Sequence, residues 1–150
     1  AIHSDTDHLA ELLLFAADHA EHISKLIRPS LESGKNVISD RYSASRYAYQ
    51  GVTLAGRFDD PLKWVQDIHR GWTIKPDLTI LFDIDPEIAV ARCGNRGDKT
   101  KFEKIGFLEG VRENYLRLVS EDPESFVIID AQKSMDEAEA EVFAIISSFL

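Results

Sequence analysis

Cysteine is almost missing: Cys93 is the only one in 150 residues. No disulfide can close within the chain, and the sequence predicts a reducing, cytoplasmic setting. Apolar runs are short. None approaches the roughly 18 to 20 residues of a membrane-spanning helix, so no membrane partner is expected. The opening residues AIHSDTDHLAE lack the basic start and apolar stretch of a signal peptide. Cations are scarce too: 17 Lys+Arg face 26 Asp+Glu, for a net charge of −9. That balance argues against a nucleic-acid partner and requires a local cluster of cations wherever an anion is held. With 8 glycines and 5 prolines the chain is neither collagen-like nor of low complexity. No Gly-x-Ser-x-Gly elbow points to a hydrolase. His19 and His22 are helical neighbours without a third metal ligand, and His3, His8 and His69 are scattered.

What is present is a regular alternation of helix and strand patterns in a length that suits one domain, residues 1–150. Leu9, Leu13, Ala16, Ala20, Ile23 and Ile27 recur at helical spacing, predicting one long amphipathic helix from Asp5 to about Leu31. Ser4 or Thr6 would cap it, and Pro29 would bend or close its last turn. Asn36–Asp40 reads as a short strand, Arg41–Gly51 as a turn entering a helix, and Pro61 to about Gly71 as a helix with proline at its first position. Leu78–Ile84 is an almost unbroken apolar and β-branched run, the pattern of a strand buried in a parallel sheet. Asp85-Pro86-Glu87 starts a helix reaching about Arg92; a basic loop spans Cys93–Lys104, and a long helix runs from about Phe102 to Glu121. Phe126–Asp130 is a third strand. Ser134-Met-Asp-Glu137 is a capping box opening a final helix over Ala138–Leu150. The fold class is therefore α/β with a parallel sheet, whose ligands bind at the carboxyl ends of the strands.

Asp40-Arg41-Tyr42-Ser43-Ala44-Ser45-Arg46-Tyr47-Ala48-Tyr49-Gln50-Gly51 sets an acid and an arginine at the end of a predicted strand. An arginine there can grip a phosphate with two parallel hydrogen bonds, and a carboxylate can organise magnesium and its waters. The same two residues could instead pair with neighbours at a strand end.

This stretch, with LLLFAADHAEHI and SGKNVISD before it and KPDLTILFDIDPEIAVAR after it, resembles the thymidylate kinase family over essentially the whole chain. The resemblance implies a three-layer P-loop kinase fold with N-terminal strands missing from these residues. It implies ATP-dependent phosphorylation of dTMP to dTDP, on the way to dTTP, with magnesium, by a cytoplasmic homodimer. Carried onto this chain, Phe15 stacks on the thymine ring. His19 stands where the family usually has an arginine that hydrogen-bonds the thymine carbonyl. A neutral imidazole keeps one donor there but loses the fixed charge. Asp40 becomes the acid near magnesium and the phosphoryl donor, Arg41 the arginine on the dTMP phosphate, and Tyr49 the ring packed under the deoxyribose. Ser45 and Gln50 become polar lining of the nucleotide site. Arg92, Arg96 and Lys99, with Lys101, resemble the lid that closes over ATP, with Arg92 and Arg96 as its catalytic arginines. Asp130-Ala131-Gln132-Lys133 resembles the loop passing near the adenine. Arg46 falls where family members vary and is given a phosphate role at most. Left to the residues alone, Phe15 is equally a core side chain, His19 a solvated helix residue, Tyr49 a packed one and the basic loop a solvated one.

A phosphate-binding Gly-x-x-x-x-Gly-Lys-Ser/Thr loop is not among the 150 residues. Ser33-Gly34-Lys35-Asn36 does not supply it: Pro29 stands where the first glycine belongs, and no Ser or Thr follows Lys35. The family carries that loop on its first strand, at the centre of the sheet, so the sequence is expected to begin after the family's second strand. The predicted strands at 37–39 and 79–84 would then flank a strand outside these residues. Two other readings stay open: a related nucleotide kinase with another base preference, motivated by His19, and a non-catalytic nucleotide-binding or dimerising remnant.

Overall fold

The computed structural model describes residues 6–93 and 101–149. They form two compact units divided at Lys75–Pro76, the place where Pro76-Asp77 punctuates the sequence.

In the first unit, α1 (His8–His22) continues through one π-helical turn (Ile23–Ile27) into α2 (Arg28–Glu32). The cap is Asp7, in place of the expected Ser4 or Thr6: its carboxylate accepts from the Leu9 and Ala10 amides at 3.0 and 3.3 Å. Asp7 prevails because it also pairs with the Arg57 guanidinium at 2.8 Å, a contact 50 residues away in sequence. The wide turn has a local cause. Pro29 has no N–H and its ring crowds the carbonyl one turn back, so the helix opens ahead of it and the Arg28 amide donates to the Ile23 carbonyl instead.

After α2 the predicted strand at Asn36–Asp40 is absent. A strand is held by the hydrogen bonds of a neighbour, and among the described residues none pairs with this stretch, which leaves Ile38 90% exposed. Two helices follow, α3 (Ser43–Thr53) and α4 (Pro61–His69), packed against each other. Asp60 caps α4 and Pro61 supplies its pre-set first turn. Leu12 of α1, Leu54 after α3 and Val65 of α4 are fully buried together, ringed by Leu9, Tyr47, Phe58, Trp64 and Ile68. Burial of each such leucine contributes about 1.5–3 kcal/mol.

The second unit holds β1 (Thr79–Asp83), α5 (Pro86–Cys93), α6 (Lys101–Glu121), β2 (Phe126–Asp130) and α7 (Met135–Phe149). β1 and β2 pair in parallel from Thr79↔Phe126 to Asp83↔Asp130, the only sheet among the described residues. The two helices between them make the crossover that a parallel pair requires. Asp85 caps α5 through the Glu87 amide at 2.8 Å. The expected capping box closes reciprocally. Ser134 N–H donates to Glu137 Oε2 at 3.0 Å and Glu137 N–H to Ser134 Oγ at 3.3 Å.

Candidate functional site

Asp40 and Arg41 end an irregular segment and lead into α3, so no strand carries them. The turn is fixed by Arg41 itself, whose φ of 66° is the only left-handed non-glycine backbone among the described residues. Such a conformation costs an L-residue on the order of 1 kcal/mol and persists where the surroundings over-determine it. Here they do. The Ser39 hydroxyl donates to the Arg41 carbonyl at 2.8 Å, Arg41 Nε donates to Ser45 Oγ at 3.3 Å, and the guanidinium lies 4.7 Å from the centre of the Tyr49 ring. Ser45 and Tyr49 lie one turn apart on one face of α3, and Arg41, which precedes the helix, is brought to that face by its contacts with both. The bond to Ser45 uses Nε alone, and Arg41 as a whole is exposed. The arrangement holds a guanidinium at an aromatic ledge, where it can meet an anion.

The other expected residues of this unit divide between surface and interior. Asp40 is exposed. Phe15 is 38% exposed on α1, a large ring open enough to stack on a planar ligand. Gln50 follows Tyr49 by one residue, roughly 100° round α3, and is buried. The structure therefore sets it apart from the Arg41–Ser45–Tyr49 face.

His19 is not a solvated helix residue. It is 4% exposed and packs edge-on against Tyr42 at 4.5 Å and Trp72 at 5.7 Å, with His69 at 6.3 Å between ring centres. Burial, followed by the positive charge of Arg46, pushes its pKa down to about 4. His69 is lowered in the same way, burial first. Its Nδ1 lies 2.7 Å from the Val65 carbonyl, which can only accept, so the proton sits on Nδ1 and Nε2 carries the lone pair. Trp72 stacks on His69 at 5.1 Å and donates its indole N–H to the Ile68 carbonyl at 2.9 Å. Nε and Nη1 of Arg46 and Nε2 of both histidines are buried with no hydrogen-bond partner.

In the second unit the expected lid residue Arg92 donates from Nη1 to the Ala131 carbonyl at 2.6 Å and from Nη2 to the Gln132 carbonyl at 3.2 Å. It is bound to the loop after β2, the one that the family resemblance implies passes near the adenine. Arg96 and Lys99 lie outside the described residues, as does the side chain of Lys101. Sequence reasoning missed Asp83, at the carboxyl end of β1. Its carboxylate takes two parallel bonds from Arg112 Nε and Nη2, both 2.7 Å, and the Arg112 hydrogen bond holds its pKa below the usual carboxylate range. The only sequence signal was an acid at a strand end.

The family model described as thymidylate kinase matches residues 2–142. The chain belongs to the thymidylate kinase family. Over all 150 residues it is 65% identical to a probable thymidylate kinase of Methanosarcina acetivorans, spanning 73% of that protein. It is 64% identical to a probable thymidylate kinase of Methanococcoides burtonii, spanning 75% of it. Among solved structures, the thymidylate kinase of Ehrlichia chaffeensis superposes with a TM-score of 0.71 at 26% identity, over 97% of this chain and 67% of that one. The α/β kinase fold and the phosphotransferase class follow from this membership. No helix among the described residues is long and apolar enough to cross a membrane.

Proposed function

We propose that these residues hold the acceptor nucleotide of an enzyme that moves the terminal phosphoryl group of ATP onto dTMP. The observation that carries this reading is the gathering of Arg41, Ser45 and Tyr49 on one face of α3, with the Arg41 backbone held in a strained conformation that aims its guanidinium. Phosphoryl transfer is chiefly a problem of positioning and charge neutralisation, and a guanidinium fixed before the substrate arrives serves both. In this reading Arg41 grips the dTMP phosphate, one of whose oxygens forms the new bond to the γ-phosphorus as the bond to ADP breaks. Tyr49 underlies the sugar, Ser45 adds polar lining, and Phe15 stacks on the base, a contact worth about 1–3 kcal/mol.

Magnesium fits what is present. It binds through one or two carboxylates, keeps several waters and shares phosphate oxygens, and Asp40 is an exposed carboxylate next to the phosphate-binding arginine. When bound, magnesium would neutralise the charge of the ATP phosphates. Arg92, tied to the 131–132 carbonyls, would shape the rim of the donor site, with Arg96 and Lys99 as the lid cations. Exposed Leu13, Leu14 and Leu26 along the first helix support a homodimer, and the single cysteine supports a cytoplasmic setting.

The test is a panel of acceptors, dTMP, dUMP, dCMP and dGMP, offered with ATP and magnesium to the full-length enzyme while ADP release is followed. dTMP is expected to give the highest kcat/KM. Arg41→Ala should lower that value by at least about a hundredfold, the loss of a charge-assisted bidentate grip. A different best acceptor would overturn the reading.

A further inference from the structure

Five polar atoms with no partner, the Tyr42 hydroxyl among them, lie among side chains that meet from three helices and the residues flanking them. His19 comes from α1, Arg46 from α3, and His69 and Trp72 from the end of α4 and just beyond it. Buried donors and acceptors are almost always satisfied in native proteins, and a guanidinium left unpaired is among the costliest exceptions. Arg46 Nε and Nη1 are both in that condition. Its surroundings are aromatic rings and neutral imidazoles, not carboxylates: Tyr42 and Tyr47 on its own helix side, with the imidazoles across from it. The acid that bears on it, Asp18, is exposed and has no hydrogen bond to it. Desolvation is the main pressure on its charge.

We propose that Arg46 is the specificity-determining residue of the acceptor site: its unmet N–H donors take the ring carbonyl of a keto-pyrimidine. The proposal rests on the function proposed above and adds how the base is chosen. A guanidinium has donors and no acceptor. It satisfies the 4-carbonyl of thymine or uracil, and it meets the 4-amino group of cytosine donor to donor. His69 adds the complementary half, because its Nε2 is a lone pair able to accept the ring N–H of thymine, which cytosine lacks at that position. The phosphate is left to Arg41, which is exposed where Arg46 is half-buried among rings. His19, neutral and packed in the same cluster, leaves the only fixed positive charge there to Arg46.

The experiment compares kcat/KM for dTMP, dUMP and dCMP in the full-length enzyme, as wild type and as Arg46→Gln, Arg46→Met and Arg46→Lys. Glutamine can turn its carbonyl towards an amino group, so the dTMP-to-dCMP ratio is expected to fall about tenfold or more. Methionine keeps the stem without donors and should lower the ratio as well. Lysine keeps a donor and should hold the ratio well above that of the glutamine variant. Binding of dTMP and dCMP, followed by quenching of Trp72 fluorescence, reads the same ratio for any variant too slow to assay. A ratio unchanged in Arg46→Gln and Arg46→Met, with both substrates weakened alike, would show that Arg46 meets the phosphate or only supports the fold, and would overturn the inference. If the wild type itself fails to favour dTMP over dCMP, the functional reading fails first, whatever the variants do.

Discussion

Lowering the pH should unseat His19 before most of the molecule responds. The ring is 4% exposed, and its pKa is pushed from 6.5 to about 4 by burial first, then by the charges of Arg46, His69 and His22, with Asp18 opposing. The Tyr42 and Trp72 rings pack against it as well. Above pH 6.5 the imidazole is neutral in both folded and unfolded chains and contributes nothing to the pH dependence. Between 6.5 and about 4 the unfolded chain takes up a proton that the folded one refuses, so stability falls as pH falls. At about 1.4 kcal/mol per pKa unit, the loss is about 2 kcal/mol by pH 5 and reaches about 3 kcal/mol near pH 4. The readout is the difference between wild type and His19→Gln, which cancels the groups common to both. Urea unfolding at pH 7.5 and pH 5 should cost the wild type about 2 kcal/mol more than the variant. An NMR titration of the ring should place its midpoint near 4. Parallel pH profiles, or a midpoint at 6.5 or above, would refute the burial of a neutral His19 and with it the uncontested charge of Arg46.

Two further outcomes follow from packing and pairing. Leu12→Ala empties the fully buried centre of the first unit beside Leu54 and Val65, and thermal or urea unfolding should show a loss of about 2–5 kcal/mol. Asp83→Asn removes a bidentate partner of Arg112. Because both side chains are partly exposed, solvent screening limits the cost to about 1 kcal/mol, and the stability lost in the wild type as the carboxylate protonates at acid pH should be smaller in the variant.

Local chemistry made much of the fold readable. The proline starts at Pro61 and Pro86, the Ser134–Glu137 capping box and the apolar runs of β1 and β2 depend on neighbours within one turn or on a repeating pattern. Arg41 was readable from its place after a predicted strand, and Ser45 and Tyr49 only through the family resemblance; that the three meet depends on the turn at Arg41. What escaped the sequence depends on distant residues. Asp7 caps α1 in preference to Thr6 because Arg57 reaches it, and Ser4 lies outside the described residues. The stretch at 36–40 has the apolar residues of a strand but no neighbour to hydrogen-bond with among the described residues. Arg112 meets Asp83 from 29 residues away. Arg46 reads as a cation with a phosphate role at most until His19 of α1 and His69 of α4 face it.

On the proposed reading, Arg41 at the entry to α3 and Arg46 within it divide two recognition problems between them. Arg41 lies at the entry to the helix, exposed, strained in backbone and steadied by a hydroxyl and a ring, so its charge faces outward where a doubly charged phosphate would more than offset its desolvation. Arg46 follows five residues later on a different face, half-buried among rings, with its Nε and Nη1 unpartnered. A phosphate drawn that far would have to shed most of its hydration, whereas a neutral carbonyl gives up little. If the proposal holds, depth sorts the ligands, with the phosphate at exposed Arg41 and the base edge at half-buried Arg46. Exchanging the burial of the two arginines would abolish that sorting, which is why the conservative change Arg41→Lys should weaken every nucleotide alike while Arg46→Gln alters the choice among them.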